Sequence, residues 1–127
     1  MFKNTPAFSS FSVKDLTRAK KFYVEVLGLD VSEDQMGLTL KLANGHNIFV
    51  YQKDNHQPAT YTILNFQVKN IDQAVSELKS KGIQFEHYPE MTEADGIARG
   101  LSHNMGPDIA WFKDPDGNFL AVLQNEK

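Results

Sequence analysis

Residues 8–16, FSSFSVKDL, return at 63–71 as ILNFQVKNI. Val13 aligns with Val68, Lys14 with Lys69, Leu16 with Ile71 and Ala19 with Ala74, all at one offset (68 − 13 = 55). The ends of the two halves match as well, IFVYQ at 48–52 against LAVLQ at 120–124. Two similar halves in one short chain imply two copies of one supersecondary unit. Facing copies would enclose a cavity, and the side chains lining it should decide function.

Working outward, residues 7–13 alternate as a strand, with Ser9, Phe11 and Val13 on one face and Phe8, Ser10 and Ser12 on the other. Asp15 is placed to cap a helix over 16–27, where Leu16, Ala19, Phe22, Tyr23, Val26 and Leu27 keep helical spacing and Gly28 ends the run. Strands are predicted at 29–33, 37–43 and 46–52, with Asn44-Gly45 as a hairpin turn. The polar stretch KDNHQPAT, 53–60, is the expected linker. The second half predicts a strand at 61–68, a helix at 71–81 ended by Gly82, and strands at 83–88, 108–113 and 118–124. Residues 89–107 carry Pro89, Gly96, Gly100, Gly106 and Pro107 and are expected to be irregular; whether they close over a cavity stays open. The predicted fold class is α+β: paired βαβββ modules, about 6–53 and 61–125, in one domain with a curled mixed sheet.

A chain of 127 residues with a net charge of −3 offers no electrostatic case for nucleic acid or an anionic membrane. No apolar run approaches a membrane span. The start, MFKNTPAFSS, has no apolar core followed by a cleavage site, so a cytoplasmic location is expected. With no cysteine there is no disulfide, no thiolate ligand and no cysteine nucleophile.

Two words in this order, VKDLTRAKKFYVEVLGL at 13–29 and WFKDPDGNFLAVLQ at 111–124, resemble the vicinal oxygen chelate superfamily of glyoxalase I, bleomycin-resistance proteins and extradiol dioxygenases. The first is similar to the family's V-x-D-L-x-x-A-x-x-F-Y-x-x-x-L-G pattern, the second to its F-x-D-P-D-G-N closing hairpin. The resemblance implies that each module curls into a half-barrel. It also implies that metal-bearing members hold the ion with a His five residues before the first-strand Val and a Glu on the last strand of a module. Carried over residue by residue, those positions are Phe8 (13 − 5), Ile63 (68 − 5), Phe49 and Ala121. None offers the nitrogen or oxygen donor that a divalent metal needs. The expectation is therefore a member without the family's metal site and without a cofactor. Dimerisation is implied by the same resemblance, so a homodimer is expected.

Strand alternation names the cavity lining: Phe8, Ser10 and Ser12; Ile63, Asn65 and Gln67; Asn47, Phe49 and Tyr51; Phe119, Ala121 and Leu123. Trp111 joins them by resemblance, while Phe112 should pack under a helix. The expected ligand-binding set is Phe8, Ser10, Phe49, Tyr51, Ile63, Asn65, Gln67, Trp111 and Ala121. An apolar, aromatic lining with a few neutral polar groups suits a small organic molecule, although aromatic strand residues also serve simply as core. No Ser–His–Asp arrangement follows from Ser10 or Ser12, because no His is predicted on a strand facing them. His46 and His56 are expected to be solvated loop residues and His87 a surface residue. His103 shares its irregular stretch with Glu90, Glu93, Asp95 and Arg99, so His103 with Glu93 or Asp95 are the weak catalytic candidates. Asp114 and Asp116 belong to a turn in which Asp accepts backbone N–H bonds, and Asp15 to a helix cap.

Three functions remain open. Metal-free binding of a small organic ligand is the leading expectation. A lyase, isomerase or dioxygenase using a divalent metal held by non-standard ligands is the alternative, and a metal-free enzyme using residues of 89–107 is the third.

Overall fold

The computed structural model describes all 127 residues. The chain forms two compact units, Met1–Pro58 and Ala59–Lys127, each built on one four-stranded mixed sheet.

In the first unit β1 (Ser9–Val13) lies parallel to β4 (Asn47–Gln52); β3 (Gly37–Lys41) and then β2 (Asp30–Asp34) follow antiparallel, giving the order β1-β4-β3-β2. Helix α1 (Leu16–Lys21) begins at Asp15, whose carboxylate accepts the Arg18 N–H at 3.0 Å as the sequence predicts. The predicted helix does run on to residue 26, but residues Phe22–Val26 form a π turn, with the Leu27 N–H reaching back to the Phe22 carbonyl at 3.1 Å. A wider turn rotates the residues that follow it. Here it accompanies burial of two consecutive aromatic rings, Phe22 and Tyr23, packed edge to face with centroids 5.1 Å apart. Gly28 (φ 70°) and Gly82 (φ 90°) stop the two helices in the left-handed region that favours glycine.

The second unit repeats the plan with β5 (Thr62–Gln67), α2 (Ile71–Ser80), β6 (Ile97–Arg99), β7 (Asp108–Lys113) and β8 (Phe119–Gln124), in the order β5-β8-β7-β6. One expectation fails here. Residues 83–88 form no strand; the edge strand is β6, inside the stretch expected to be irregular. The outer edge of β7 is divided. Its first half pairs with β6 (Ile97 with Ala110, Ala98 with Ile109, Arg99 with Asp108), and the Trp111 carbonyl accepts one bond, from the Glu86 N–H at 2.8 Å. The alternation that suggested a strand survives as burial alone: Phe85 is buried against Phe112, centroids 5.6 Å apart, while His87 is exposed. Side-chain alternation reports which residues face the core, not whether a ladder forms.

In each unit one sheet face packs under its helix. Val13, Leu38, Leu40 and Val50 are fully buried in the first, with Phe11 against Tyr23 at 6.0 Å. Ile71 and Val75 of α2 join Leu64, Phe112, Leu120 and Val122 in the second. Each large apolar side chain buried this way contributes roughly 1.5–3 kcal/mol. No helix of the chain is long and apolar enough to cross a membrane.

Candidate functional site

The residues that alternate with these cores lie on the opposite sheet faces. In the first unit the ladder places Ser10 beside Phe49, Phe49 beside Thr39 and Ser12 beside Tyr51. The Phe49 and Tyr51 rings stack with centroids 6.0 Å apart and planes 16° from parallel. Phe8 precedes β1 and is 73% exposed, so of the sequence-named set it stands apart from these residues.

In the second unit Asn65, Ala121 and Trp111 form one row across three strands. Ala121 is fully buried and its small side chain is the floor of that row, between Asn65 and the indole. Gln67 accepts a bond from the Asn125 side chain at 3.0 Å. Ile63 is the extra residue of a register shift between Thr62 and Leu64, so Thr62, not Ile63, shares a ladder position with Phe119. A simple count along the strand cannot see such a bulge.

Trp111 also lines a cleft of about 200 Å³, together with Thr60, Tyr61, Thr62, Tyr88, Met91 and Phe119. Tyr88 meets the indole edge to face, centroids 5.5 Å apart. The Lys113 ammonium lies 4.9 Å from the Phe119 ring centroid and 3.6 Å from Glu86. Tyr61, Tyr88 and Met91 were not named from the sequence; Tyr61 and Tyr88 fall in the stretches expected as strands at 61–68 and 83–88, but β5 begins at Thr62 and residues 83–88 form no strand.

The weak catalytic candidates are not brought together. Glu93 and Asp95 turn to Arg99, at 3.8 and 2.9 Å, and Arg99 also grips Asp72 of α2 through two bonds of 2.6 and 3.1 Å. Asp108 stands 3.9 Å away. His103 is exposed at the end of a 3-10 turn, and no ion pair joins it to either acid. The Arg99 guanidinium bonded to Asp72 holds that carboxyl below its usual range, and the carboxylates, Asp72 first, raise Arg99 well above its own. A carboxyl lowered in the folded state stabilises above its unfolded pKa, and that contribution is lost as pH falls through the folded value. Because Asp72 is 64% exposed, the contribution is discounted for solvent. Asp72→Asn should cost less than about 1 kcal/mol at neutral pH and nothing below the acid transition, checked by urea unfolding at both pH values.

A second constellation was missed. His56 is half-buried rather than a solvated linker residue, and its Nδ1 lies 2.7 Å from the Ser12 Oγ. The path of the chain explains this. After β4 the Lys53 N–H still bonds to Val13, at 2.9 Å, and a turn closed by the His56 N–H on the Lys53 carbonyl folds the imidazole back. Sequence reasoning looked for a His on a facing strand; this one comes from a loop.

Asp114 is buried and accepts the backbone N–H groups of Asp116 and Asn118 at 3.0 and 2.9 Å and the Asn118 side-chain amide at 2.9 Å. This is the turn role that the sequence predicts.

The model of the Glyoxalase/Bleomycin resistance protein/Dioxygenase superfamily matches residues 8–122. The chain belongs to this superfamily. A comparison with curated protein sequences gives no match. Among solved structures the superfamily member is similar to the glyoxalase family protein from Enterococcus faecalis (TM-score 0.70, 23% identity, 97% of this chain and 99% of that one). It is similar also to the genomically encoded fosfomycin resistance protein FosX from Listeria monocytogenes (0.70, 17%, 96% and 93%). A third is TnmS3, an antibiotic binding protein from Streptomyces sp. CB03234 (0.64, 22%, 96% and 98%). At these identities the likeness concerns the fold.

The superfamily's metal does not fit the residues present. Phe8, Phe49, Ile63 and Ala121 carry no donor atom. No group of three or more His, Cys, Asp or Glu side chains is placed to hold a metal ion.

Proposed function

We propose that this superfamily member binds a small organic molecule with a planar aromatic body, without a metal, in the cleft at Trp111. The observation that carries the reading is the lining itself: Tyr61, Tyr88, Met91, Trp111 and Phe119 gathered around about 200 Å³. Rings offered in edge-to-face geometry accept a further ring by stacking, and a thioether adapts to its outline. Thr60 and Thr62 add hydroxyl groups that can orient a polar substituent. The antibiotic-binding neighbour TnmS3 is consistent with such a use of the fold.

Trp111 is the only tryptophan, so its emission reports on the cleft. A panel of planar aromatic compounds should quench or shift that emission saturably, while calorimetric titration with zinc, manganese, nickel and iron(II) salts should show no stoichiometric uptake. One tightly held divalent ion per chain would sink the metal-free reading and favour the lyase, isomerase or dioxygenase alternative. Failure of every aromatic compound to perturb Trp111 would sink the site.

A further inference from the structure

We propose that Ser12 and His56 form a nucleophile–base pair that accepts an acyl group from an activated aryl ester. The pair belongs to the first unit and does not rest on the cleft at Trp111.

Geometry comes first. The Oγ–Nδ1 separation of 2.7 Å is a full hydrogen bond, within the reach expected of a hydroxyl nucleophile and its base. With the imidazole proton on Nε2, Nδ1 accepts the Ser12 hydroxyl proton. Both side chains are half-buried, which shields the pair partly from water. Two independent devices fix their relation. Ser12 is held in the β1–β4 ladder, and His56 in the turn closed on Lys53.

The surroundings name the substrate class. Ser12 shares its ladder position with Tyr51, whose ring stacks on Phe49. An aryl group lying along those rings brings an attached ester carbonyl toward the hydroxyl. A charged or purely aliphatic ester gains nothing from them.

The step balances with no further reagent. The Ser12 oxygen attacks the acyl carbon as its proton passes to His56 Nδ1. The C–O bond to the aryl group then breaks, and the aryl oxide leaves with the bonding pair and takes up that proton. Water, activated by the same imidazole, later cleaves the acyl–serine bond, which releases a carboxylic acid and restores the hydroxyl.

The test uses the intact chain and p-nitrophenyl acetate, read as nitrophenol release and as an acetyl mass gain located by peptide mapping. The expected result is one acetyl group on Ser12. Ser12→Ala should abolish the burst, and His56→Gln should slow it by about 10²-fold, the lower end of what a positioned general base supplies. Ser32→Ala, at an exposed serine of β2 in the same unit, should leave it unchanged. Far-ultraviolet circular dichroism confirms that each variant is folded, and the mapping of unmutated protein needs no variant at all. Acetylation confined to lysines or Ser10, an undiminished burst in Ser12→Ala, or no acetylation overturns the proposal.

Discussion

Asp114→Ala is expected to lower the stability of the fold by about 3 kcal/mol, because it leaves buried donors without an acceptor. Asp114 is 4% exposed and Asn118 2%, and the carboxylate takes both N–H bonds that Asn118 offers it, at 2.9 Å each. Alanine cannot accept either, and water has little access to repair the loss. The turn also positions β7 and β8, since Asp114 N–H donates to the Asn118 carbonyl at 3.0 Å where the hairpin closes. Asp114→Asn should cost less, since an amide oxygen still accepts one bond. Asp116→Ala should shift stability by less than about 1 kcal/mol, because that side chain is only half-buried. Urea unfolding of the three variants checks the order. If the two carboxylates were instead an acid–base pair, both alanine variants would keep their stability and lose turnover together.

Trp111→Ala should weaken binding of a planar aromatic dye by about tenfold or more, in the range expected for loss of a buried aromatic anchor. The indole both lines the cleft and meets Tyr88 at 5.5 Å, so its removal takes away both a stacking surface and the ring that Tyr88 packs against. Trp111→Phe keeps a ring and should retain most of the affinity. Anilinonaphthalene sulfonate is a suitable probe, because its own emission reports binding in variants that lack tryptophan. Equal affinity in wild type, Trp111→Ala and Tyr88→Ala would place the dye elsewhere and remove the cleft as the site.

Not everything in the site was equally legible in the sequence. Phe49, Tyr51, Asn65 and Ala121 lie on the sheet faces opposite their helices, as alternation places them. A strand fixes the direction of every second side chain once its register is known. Alternation failed where the backbone leaves the ladder. Phe8 lies before β1, Ile63 sits in a bulge, and residues 83–88 keep the burial pattern of a strand without its hydrogen bonds. Tyr61, Tyr88 and Met91 went unnamed, and they reach the cleft from outside the observed strands. The acids around Arg99 look like a catalytic cluster in the sequence, yet fold into an ion-pair network that ties β6 and its preceding loop to α2.

The amino-acid sequence alone determined the repeat, the order of most elements, the helix cap at Asp15, the Asp114 turn and the superfamily. It also determined that the positions where relatives resembling this chain would hold a metal are apolar. All of these depend on neighbours in the chain or on a pattern carried by residue type. Only the tertiary structure decided that Ser12 meets His56, 44 residues away, that Arg99 gathers its carboxylates, and that Tyr88 stands edge-on to Trp111. Those meetings depend on where loops fold back. A loop's path is set by a few long-range hydrogen bonds and close contacts, which leave no period in the sequence to read.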